Sequence, residues 1–429
     1  MIFTVISILI ALYGIFDFKK SIMLFTVYQI FWYPTVIFSI AGISFGTNSV
    51  IPLYYFLLFI INNKNIVKTK VSFPFKIPFI LIILSLILSS FTALSGFSTE
   101  FSRALMRIFS VYIYIMILWY TIESEEDFKF IFKYATVVML IAGFYSIFEY
   151  LTQSNLLLDY KVLLSDGSIE LYDSSGLRGY RVVSLFEHPL GAGMTIGLYA
   201  TFVLSLILRR SGKVINYNTG MMTVILLIPI VILTKMRTAI IFTLISLFTV
   251  FKFSRKIKRN HLAIILSFTV ILLPILFFVI SSNSSLITNL FTSEKSAEIG
   301  GSSLEMRLNQ FSAILVIMKS SPILGLGETF RNAIVSNSIT NAALGYEGLI
   351  FEQLTMHGVF GMISSIILMY YMILKVPSQF GSREVRVYSI AYWFSYLVSS
   401  IPSFRISLFF VILFYYIKST ESYEVKNIR

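Results

Sequence analysis

Long apolar runs constrain the fold of this chain more than any other feature of its sequence. Runs of roughly 15 to 25 apolar residues recur throughout, and this is the length of helix that crosses a bilayer core of about 30 Å. Hydrophobic residues make up 57% of the chain and charged residues only 13%, which lies outside the composition of soluble proteins. We therefore predict an all-α polytopic membrane protein, a bundle of about 12–14 transmembrane helices that forms a single membrane domain over residues 1–429.

The spans are assigned from these apolar runs. They cover residues 2–16, 22–43, 49–61, 76–97, 103–122, 130–152, 189–208, 219–234, 237–253, 262–281, 347–374, 386–401 and 405–418. The alternative for residues 219–253 is one broken hairpin around TKMR. The first run, MIFTVISILIALYGIF, lacks a preceding basic segment and a small-residue cleavage site, so we predict that it is a retained span.

Lysine and arginine set the predicted orientation. Most of these residues fall in short loops that the spans place on one side of the membrane, and such a bias marks the cytoplasmic side. The two longest polar segments, residues 153–188 and 282–346, then lie on the outer face. In the second segment, Ser302 and Glu305 form a capping box, and the apolar spacing that follows predicts a short amphipathic helix.

The composition excludes several kinds of site. The chain contains no cysteine, which rules out disulfides, thiolate nucleophiles and Cys-ligated metals. The histidines at 188, 261 and 357 are too scattered for a sequence-local metal site. The net charge of +13 is assigned to the cytoplasmic loops and not to nucleic-acid binding. We predict neither a metal nor a cofactor.

Arginines on the predicted outer face indicate an anionic ligand. They occur in three compact motifs, RALMR at 103–107, RGYR at 178–181 and TKMR at 234–237. The planar guanidinium binds phosphate oxygens in a bidentate manner and stays charged at any relevant pH. Any one arginine has a simpler explanation, which is snorkelling to lipid phosphates, but the set favours a phosphate or diphosphate ligand over a cation pathway. The candidate contacts are Arg103, Arg107, Arg178, Arg181 and Arg237.

Few acidic residues accompany these arginines. Glu187 and His188 follow RGYR directly, and Glu347 opens the predicted span YEGLIFEQLTMHGVFG. An ionisable residue at the mouth of a span is a functional candidate, with a structural salt bridge to an arginine as the alternative. Glu347 is positioned to accept a proton from a hydroxyl group. His357, inside the same span, is assigned to packing beside Gly358.

Three segments of the chain carry motifs in a characteristic order. They are RVVSLFEHPLGAG (181–193), TKMRTAIIFTL (234–244), and MRLNQFSAILVIMKSSPILGLG (306–327) followed by YEGLIFEQLTMHGVFG (346–361). Over residues 178–375, this order and topology resemble the superfamily of O-antigen ligases and Wzy-type O-antigen or capsule polymerases. The patterns of that superfamily are Arg-x-x-Gly-x-Phe-x-x-Pro, Thr-x-Ser-Arg, and Pro-x-x-Gly-x-Gly with a later helix that ends Gly-x-x-Gly.

The resemblance implies a GT-C-like glycosyltransferase in the bacterial cytoplasmic (inner) membrane, with its active site on the periplasmic side. The implied substrate is an oligosaccharide repeat on undecaprenyl diphosphate, and the implied partners are membrane lipids, a chain-length regulator and a flippase. The hydroxyl of one repeat would attack the anomeric carbon of the growing chain, and undecaprenyl diphosphate would leave without the help of a metal. The implied catalytic residues are Glu347 as base, with His188 as the second choice, and Arg181 and Arg307 on the departing diphosphate. The implied substrate-binding residues are Arg178, Arg237, His188, Glu187, Arg103 and Arg107.

The sequence departs from the superfamily pattern at several positions. Glu347 and Gly348 stand where ligases carry a His-Asn pair, Ser184 replaces a glycine, and His188 replaces an asparagine. These departures favour a polymerase over the main alternative, an O-antigen ligase that transfers the glycan to a lipid A-core acceptor. A flippase is a lesser alternative, because a transporter of that class has pseudo-symmetric halves that this sequence lacks. A lipid-binding assembly protein without catalytic activity is the third alternative.

Overall fold

The computed structural model describes residues 2–31, 36–40, 43–66, 71–164, 180–208, 214–253, 314–330, 348–400 and 404–420. Helices dominate these segments, and a single antiparallel hairpin, Val36–Ile40 with Ile43–Gly46, occurs among them. The chain is therefore an all-α polytopic membrane protein, as its sequence predicts.

The described helices lie between Ile2 and Lys418. They are α1 (Ile2–Tyr13), α2 (Phe18–Phe31), α3 (Thr47–Ile66), α4 (Lys76–Ser89), α5 (Phe97–Arg107), α6 (Tyr114–Thr121), α7 (Glu125–Thr152), α8 (Leu156–Leu164), α9 (Pro189–Leu208), α10 (Tyr217–Leu233), α11 (Arg237–Phe253), α12 (Leu349–Tyr370), α13 (Val376–Phe380), α14 (Arg383–Val398) and α15 (Ile406–Lys418). Turns of π-helix at Ile108–Ile113 and Tyr371–Lys375 join α5 to α6 and α12 to α13. Within the described chain, four helical stretches are long and apolar enough to cross a membrane: Phe97–Thr121, Glu125–Thr152, Pro189–Leu208 and Leu349–Phe380.

The predicted span 22–43 is wrong in its second half. Helix α2 ends at Phe31, and the strands Val36–Ile40 and Ile43–Gly46 follow it. Pro34 has no amide hydrogen and disfavours helical geometry in the residue before it, so the apolar run does not continue as one helix. The predicted loop 153–188 contains α8, a helix that the sequence patterns did not predict. An amphipathic helix was predicted after Ser302. Residues 314–317 are helical, and the earlier part of the predicted helix lies outside the described residues.

The chain forms two compact units. Unit 1 comprises Met1–Ala135, Phe311–Ser400 and Arg405–Arg429. Its core is strongly aromatic, and α15 is buried along nearly its whole length. Lys418 ends α15 with its ammonium group 4.3 Å from the centre of the Trp119 ring and 2.6 Å from the Trp119 carbonyl oxygen. The buried Lys418 ammonium thus has both a ring and a carbonyl for a partner.

Unit 2 comprises Thr136–Gln310 and Ile401–Phe404, and α9 is its central helix. Helices α10 and α11 pack against α9, and the most apolar stretch of α9 is completely buried. Two glycines of α9 allow this close approach. A Cβ atom at Gly193 would lie 2.7 Å from the Ala239 Cβ, and one at Gly197 would lie 2.1 Å from the Thr243 Oγ1. Small residues at such positions allow membrane helices to pack closely. That residues 1–429 form a single membrane domain stays a prediction.

Candidate functional site

A buried carboxylate in unit 2 holds the turn that precedes α9. The Glu149 side chain projects from α7, and Glu149 is completely buried. Its Oε1 accepts hydrogen bonds from the Val183 amide at 2.9 Å and the Tyr180 hydroxyl at 3.0 Å, and its Oε2 accepts one from the Ser184 amide at 2.6 Å. Burial, and then the negative charge of Glu149, raise the pKa of the Tyr180 hydroxyl well above its usual value. The carboxylate therefore fixes the backbone two and three residues after Arg181.

Ser184 explains one departure from the superfamily pattern. Its φ of 59° is in the left-handed region, where glycine is favoured and where the superfamily carries a glycine. Asn155 donates to the Ser184 carbonyl oxygen at 2.9 Å, and the Ser184 hydroxyl donates to the Ala142 carbonyl oxygen at 2.9 Å. These hydrogen bonds stabilise the left-handed residue and let serine replace glycine.

Glu187, predicted to contact substrate, lies in a buried ion pair. Its Oε1 is 2.7 Å from the Nζ of Lys161, which belongs to α8. The two side chains are only 4% and 2% exposed, respectively. A structural salt bridge to an arginine was the alternative to substrate contact for such a residue. The structure shows a salt bridge, and its basic partner is the lysine Lys161. This pair ties α8 to the chain just before α9.

Two of the three basic motifs meet in unit 2. The Val182 amide donates to the carbonyl oxygen of Leu233 at 3.2 Å, which brings the end of RGYR to the start of TKMR. The guanidinium of Arg181 lies 4.0 Å from the sulfur of Met236. Lys235 adopts a left-handed φ of 52° in this turn, and Arg237 begins α11. Positive side chains from the two motifs therefore gather at one end of the unit.

The electrostatics reflect this concentration of positive charge. Burial lowers the pKa of the Arg181 guanidinium. Burial, and then the charge of Arg181, lower the pKa of Lys235 and lower that of His188 to about 4. His188 is thus neutral at pH 7, and its Nδ1 accepts a hydrogen bond from the Leu190 amide at 3.1 Å in the first turn of α9. A cluster of like charges of this kind is stabilised by an anion.

The third motif, RALMR, lies in unit 1 and contributes to a different polar network. The Arg107 guanidinium contacts the Glu328 carboxylate. Burial alone would raise the pKa of Glu328, but the charge of Arg107, and then that of His357, lower it below its usual value. Arg103 adds a smaller effect in the same direction. Glu100, which is 2% exposed, accepts hydrogen bonds from the Glu328 amide and, at 2.6 Å, from the Thr329 hydroxyl.

His357 was predicted to pack, and it is buried at the edge of this network. Its Nδ1 lies 3.1 Å from the Ser89 hydroxyl, and its Nε2 lies 3.9 Å from Glu328 Oε1. The next residue, Gly358, breaks α12, with φ 62° and ψ −163°, a conformation that essentially only glycine adopts. The motif PILGLG (322–327) fills this break.

Four backbone hydrogen bonds join the break to the PILGLG motif. The amides of Leu326 and Gly327 donate to the carbonyl oxygens of Thr355 and Met356 at 2.8 and 3.0 Å. In return, the amides of Val359 and Phe360 donate to the carbonyl oxygens of Pro322 and Ile323 at 2.9 and 3.1 Å. A Cβ atom at Gly325 would lie 2.4 Å from the His357 amide nitrogen. Gly325 and Gly358 are thus required by close backbone packing, whereas a Cβ atom at Gly327 would meet the side chains of Glu100 and Ala93.

The predicted site residues therefore divide into three groups. Arg181, Arg237, His188 and Glu187 lie in unit 2, and Arg103 and Arg107 lie in unit 1. Glu347, Arg307 and Arg178 lie outside the described residues. The patterns missed Glu100, Glu149, Lys161 and Glu328. Glu149 had a signal, because it is an acidic residue within an apolar span. Across the described segments, no group of three histidine, aspartate or glutamate side chains is positioned to hold a metal ion.

The fold and these two networks define a polytopic membrane protein with a basic cluster at the end of a helical unit. A family model described as O-Antigen ligase matches residues 222–366, about a third of the chain. This match confirms the resemblance to the O-antigen ligase and polymerase superfamily, whose members are glycosyltransferase-like enzymes. No curated protein matches the chain.

Proposed function

We propose that this protein is a polysaccharide polymerase of the bacterial cytoplasmic membrane. In the proposed reaction, the hydroxyl of one lipid-linked repeat unit attacks the anomeric carbon of a growing glycan, and undecaprenyl diphosphate leaves. The proton of that hydroxyl passes to Glu347, and no metal takes part. The reaction occurs on the periplasmic side, where a flippase delivers the repeat unit and a chain-length regulator acts beside the polymerase.

The observation that carries this proposal is the contact between RGYR and TKMR. Arg181 lies against Met236, and its charge acts on both Lys235 and His188. Cations held this close together repel one another, so binding an anion stabilises them. A lipid diphosphate supplies two adjacent phosphates that match a guanidinium and an ammonium group.

The chemistry benefits from a preformed cluster. The departing diphosphate gains negative charge in the transition state, so positioned cations lower the barrier more than they tighten substrate binding. Glu149 and Asn155 hold the Arg181 turn through buried hydrogen bonds before any substrate arrives. Arg307 and Arg178 are proposed to complete the diphosphate site, with Arg103, Arg107, Arg237, His188 and Glu187 as further substrate contacts or supports.

Reconstituted polymerisation tests the proposal. Purified protein in detergent is incubated with the undecaprenyl-diphosphate repeat unit of the host and a chelator, and product length is followed on gels. The wild type is expected to make a ladder that grows in repeat-unit steps. Arg181→Ala is expected to slow elongation by roughly 10²–10³-fold, the usual effect of losing one transition-state donor.

A matched arginine provides the control. Arg386 is exposed in the first turn of α14, where its Nε donates to the Ile373 carbonyl oxygen at 3.1 Å. Arg386→Ala is expected to keep the wild-type rate. Full-rate elongation by Arg181→Ala would show that the basic cluster has no part in the reaction. Glu347→Gln tests the base separately, and wild-type turnover of that variant would remove Glu347 from the mechanism.

The description of the matched family favours a second candidate, an O-antigen ligase. A ligase uses the same donor but transfers the glycan once, to a lipid A-core acceptor. Adding a core lipid to the reaction separates the two functions. A single transfer product that requires the core lipid identifies a ligase, whereas a ladder formed without it identifies a polymerase.

A further inference from the structure

We infer that unit 1 carries a sugar-binding site formed by Tyr392, Trp393 and Tyr396 of α14 with Glu352 and Gln353 of α12. The inference rests on the proposed function, in which the substrate is a glycan. The sugar rings of that substrate would bind to aromatic and polar side chains, whereas the basic cluster would bind the diphosphate.

Three aromatic rings form the centre of this surface. Ring centroids are 5.5 Å apart for Tyr392 and Trp393, 6.0 Å for Trp393 and Tyr396, and 6.1 Å for Tyr392 and Tyr396. The faces of a sugar ring carry C–H groups and its edge carries hydroxyls. A sugar therefore stacks on aromatic side chains and forms hydrogen bonds around its perimeter.

Polar groups stand beside these rings. The Tyr396 hydroxyl donates to Glu352 Oε2 at 2.9 Å, and the Gln353 side-chain amide donates to the Tyr396 hydroxyl at 3.4 Å. A carboxylate accepts hydrogen bonds and an amide both donates and accepts them, so together they suit the hydroxyls of a sugar. Glu352, Gln353, Tyr392 and Tyr396 are all half-buried, and polar residues of membrane helices in such positions face the bundle interior or a cavity.

Buried polar atoms of α14 provide an independent indication. Trp393 is 3% exposed, and its Nε1 donor has no hydrogen-bond partner among the residues that the structure describes. The same holds for the hydroxyl of Ser389, which is completely buried. Residues three and four apart lie on one face of a helix, so Ser389, Trp393 and Tyr396 share a face. Native proteins rarely leave such groups unsatisfied, and a sugar hydroxyl that enters between the three rings would satisfy the Trp393 donor.

The surface lies near the ends of both helices. A Cβ atom at Gly348, which precedes α12, would lie 2.7 Å from the carbonyl oxygen of Leu397 near the end of α14. The predicted topology puts both of these helix ends on the outer side, where the proposed reaction takes place. A sugar bound here would sit close to the membrane surface, as a lipid-linked glycan requires.

Glycan binding can be measured without any catalysis. The probe is the soluble repeat-unit oligosaccharide, released from the lipid-linked material of the host by mild acid and titrated calorimetrically into protein in detergent. Tyr396→Phe removes only a hydroxyl, and Trp393→Phe removes the indole donor but keeps an aromatic ring. Each is expected to weaken binding about tenfold, the effect of one lost hydrogen bond of this kind. Tyr370→Phe is the control, because Tyr370 is a 51% exposed tyrosine of α12.

The outcomes separate this inference from the proposed polymerase. Weakened binding in both variants, with thermal unfolding like that of Tyr370→Phe, supports the site even if no ladder forms with lipid-linked substrate. Unchanged binding in both variants overturns the site even if the wild type polymerises. If either variant unfolds early, Gln353→Ala on the half-buried rim replaces it, and wild-type affinity in that variant also overturns the inference. Displacement of the oligosaccharide by sugar-free undecaprenyl diphosphate would overturn it as well.

Discussion

The buried carboxylate of Glu149 supports a quantitative prediction. Glu149→Gln keeps one acceptor oxygen, which faces the two donors of Val183 and Tyr180, and replaces the other with an NH₂ group that faces the Ser184 amide. One hydrogen bond to a charged group is lost, and a buried amide hydrogen is left opposite another donor. The expected decrease in the free energy of unfolding is about 2–3 kcal/mol.

The comparison is with an acidic residue of the same helix that is exposed. Glu126 is 81% exposed and lies 3.8 Å from Lys129, so Glu126→Gln is expected to change the free energy of unfolding by less than about 1 kcal/mol. Thermal unfolding of both purified variants in detergent measures the difference, and the polymerisation assay should show slower elongation for Glu149→Gln alone. Equal unfolding temperatures for the two variants would refute the role assigned to this carboxylate.

Three further predictions concern other parts of the structure. Gly358→Ala places a methyl carbon 2.4 Å from a backbone carbonyl, so it should reduce the yield of monodisperse protein in size-exclusion chromatography far more than Gly96→Ala, whose added methyl meets nothing within 4 Å. Lys161→Ala leaves Glu187 charged and buried, so it should lower the free energy of unfolding by about 3–5 kcal/mol. Replacing both residues with apolar ones should recover most of that loss, as measured by thermal unfolding. His188 has a pKa of about 4 in the folded protein and 6.5 as its ordinary value, so between these pH values the unfolded chain binds a proton that the folded protein does not. The folded protein therefore loses stability as pH falls from 6.5 towards 4. His188→Asn should make the unfolding temperature less dependent on pH in that range.

Apolar runs predicted most of the helices, because the length and hydropathy of a membrane span are properties of the local sequence. Helices α9 and α11 have the same bounds as the predicted spans 189–208 and 237–253. The hairpin at Val36–Gly46 was missed because its sequence is as apolar as a span, and strand pairing depends on contacts that hydropathy does not report.

The sequence motifs indicate where basic residues concentrate but not which residues contact one another, and their binding of a substrate stays a prediction. The motifs indicated an arginine cluster, and Arg181 does lie beside Met236 of TKMR, 55 residues later. Local sequence gave no means to distinguish Arg181 from Arg107, which contacts a glutamate 221 residues away. Glu149 lay within an apolar span, and only the fold brings the backbone amides that it binds to its side chain.

The break at Gly358 has a consequence for how the protein is assembled. In a straight helix, the amides of Val359 and Phe360 would donate to the carbonyl oxygens of Thr355 and Met356, four residues earlier. Here, two amides of the PILGLG motif donate to those carbonyl oxygens instead. Docking of the motif therefore exchanges two hydrogen bonds within the helix for four between segments. A broken α12 without the motif would leave these buried backbone groups without partners, which is costly inside a membrane protein. We therefore expect the break in α12 and the PILGLG motif that fills it to fold together.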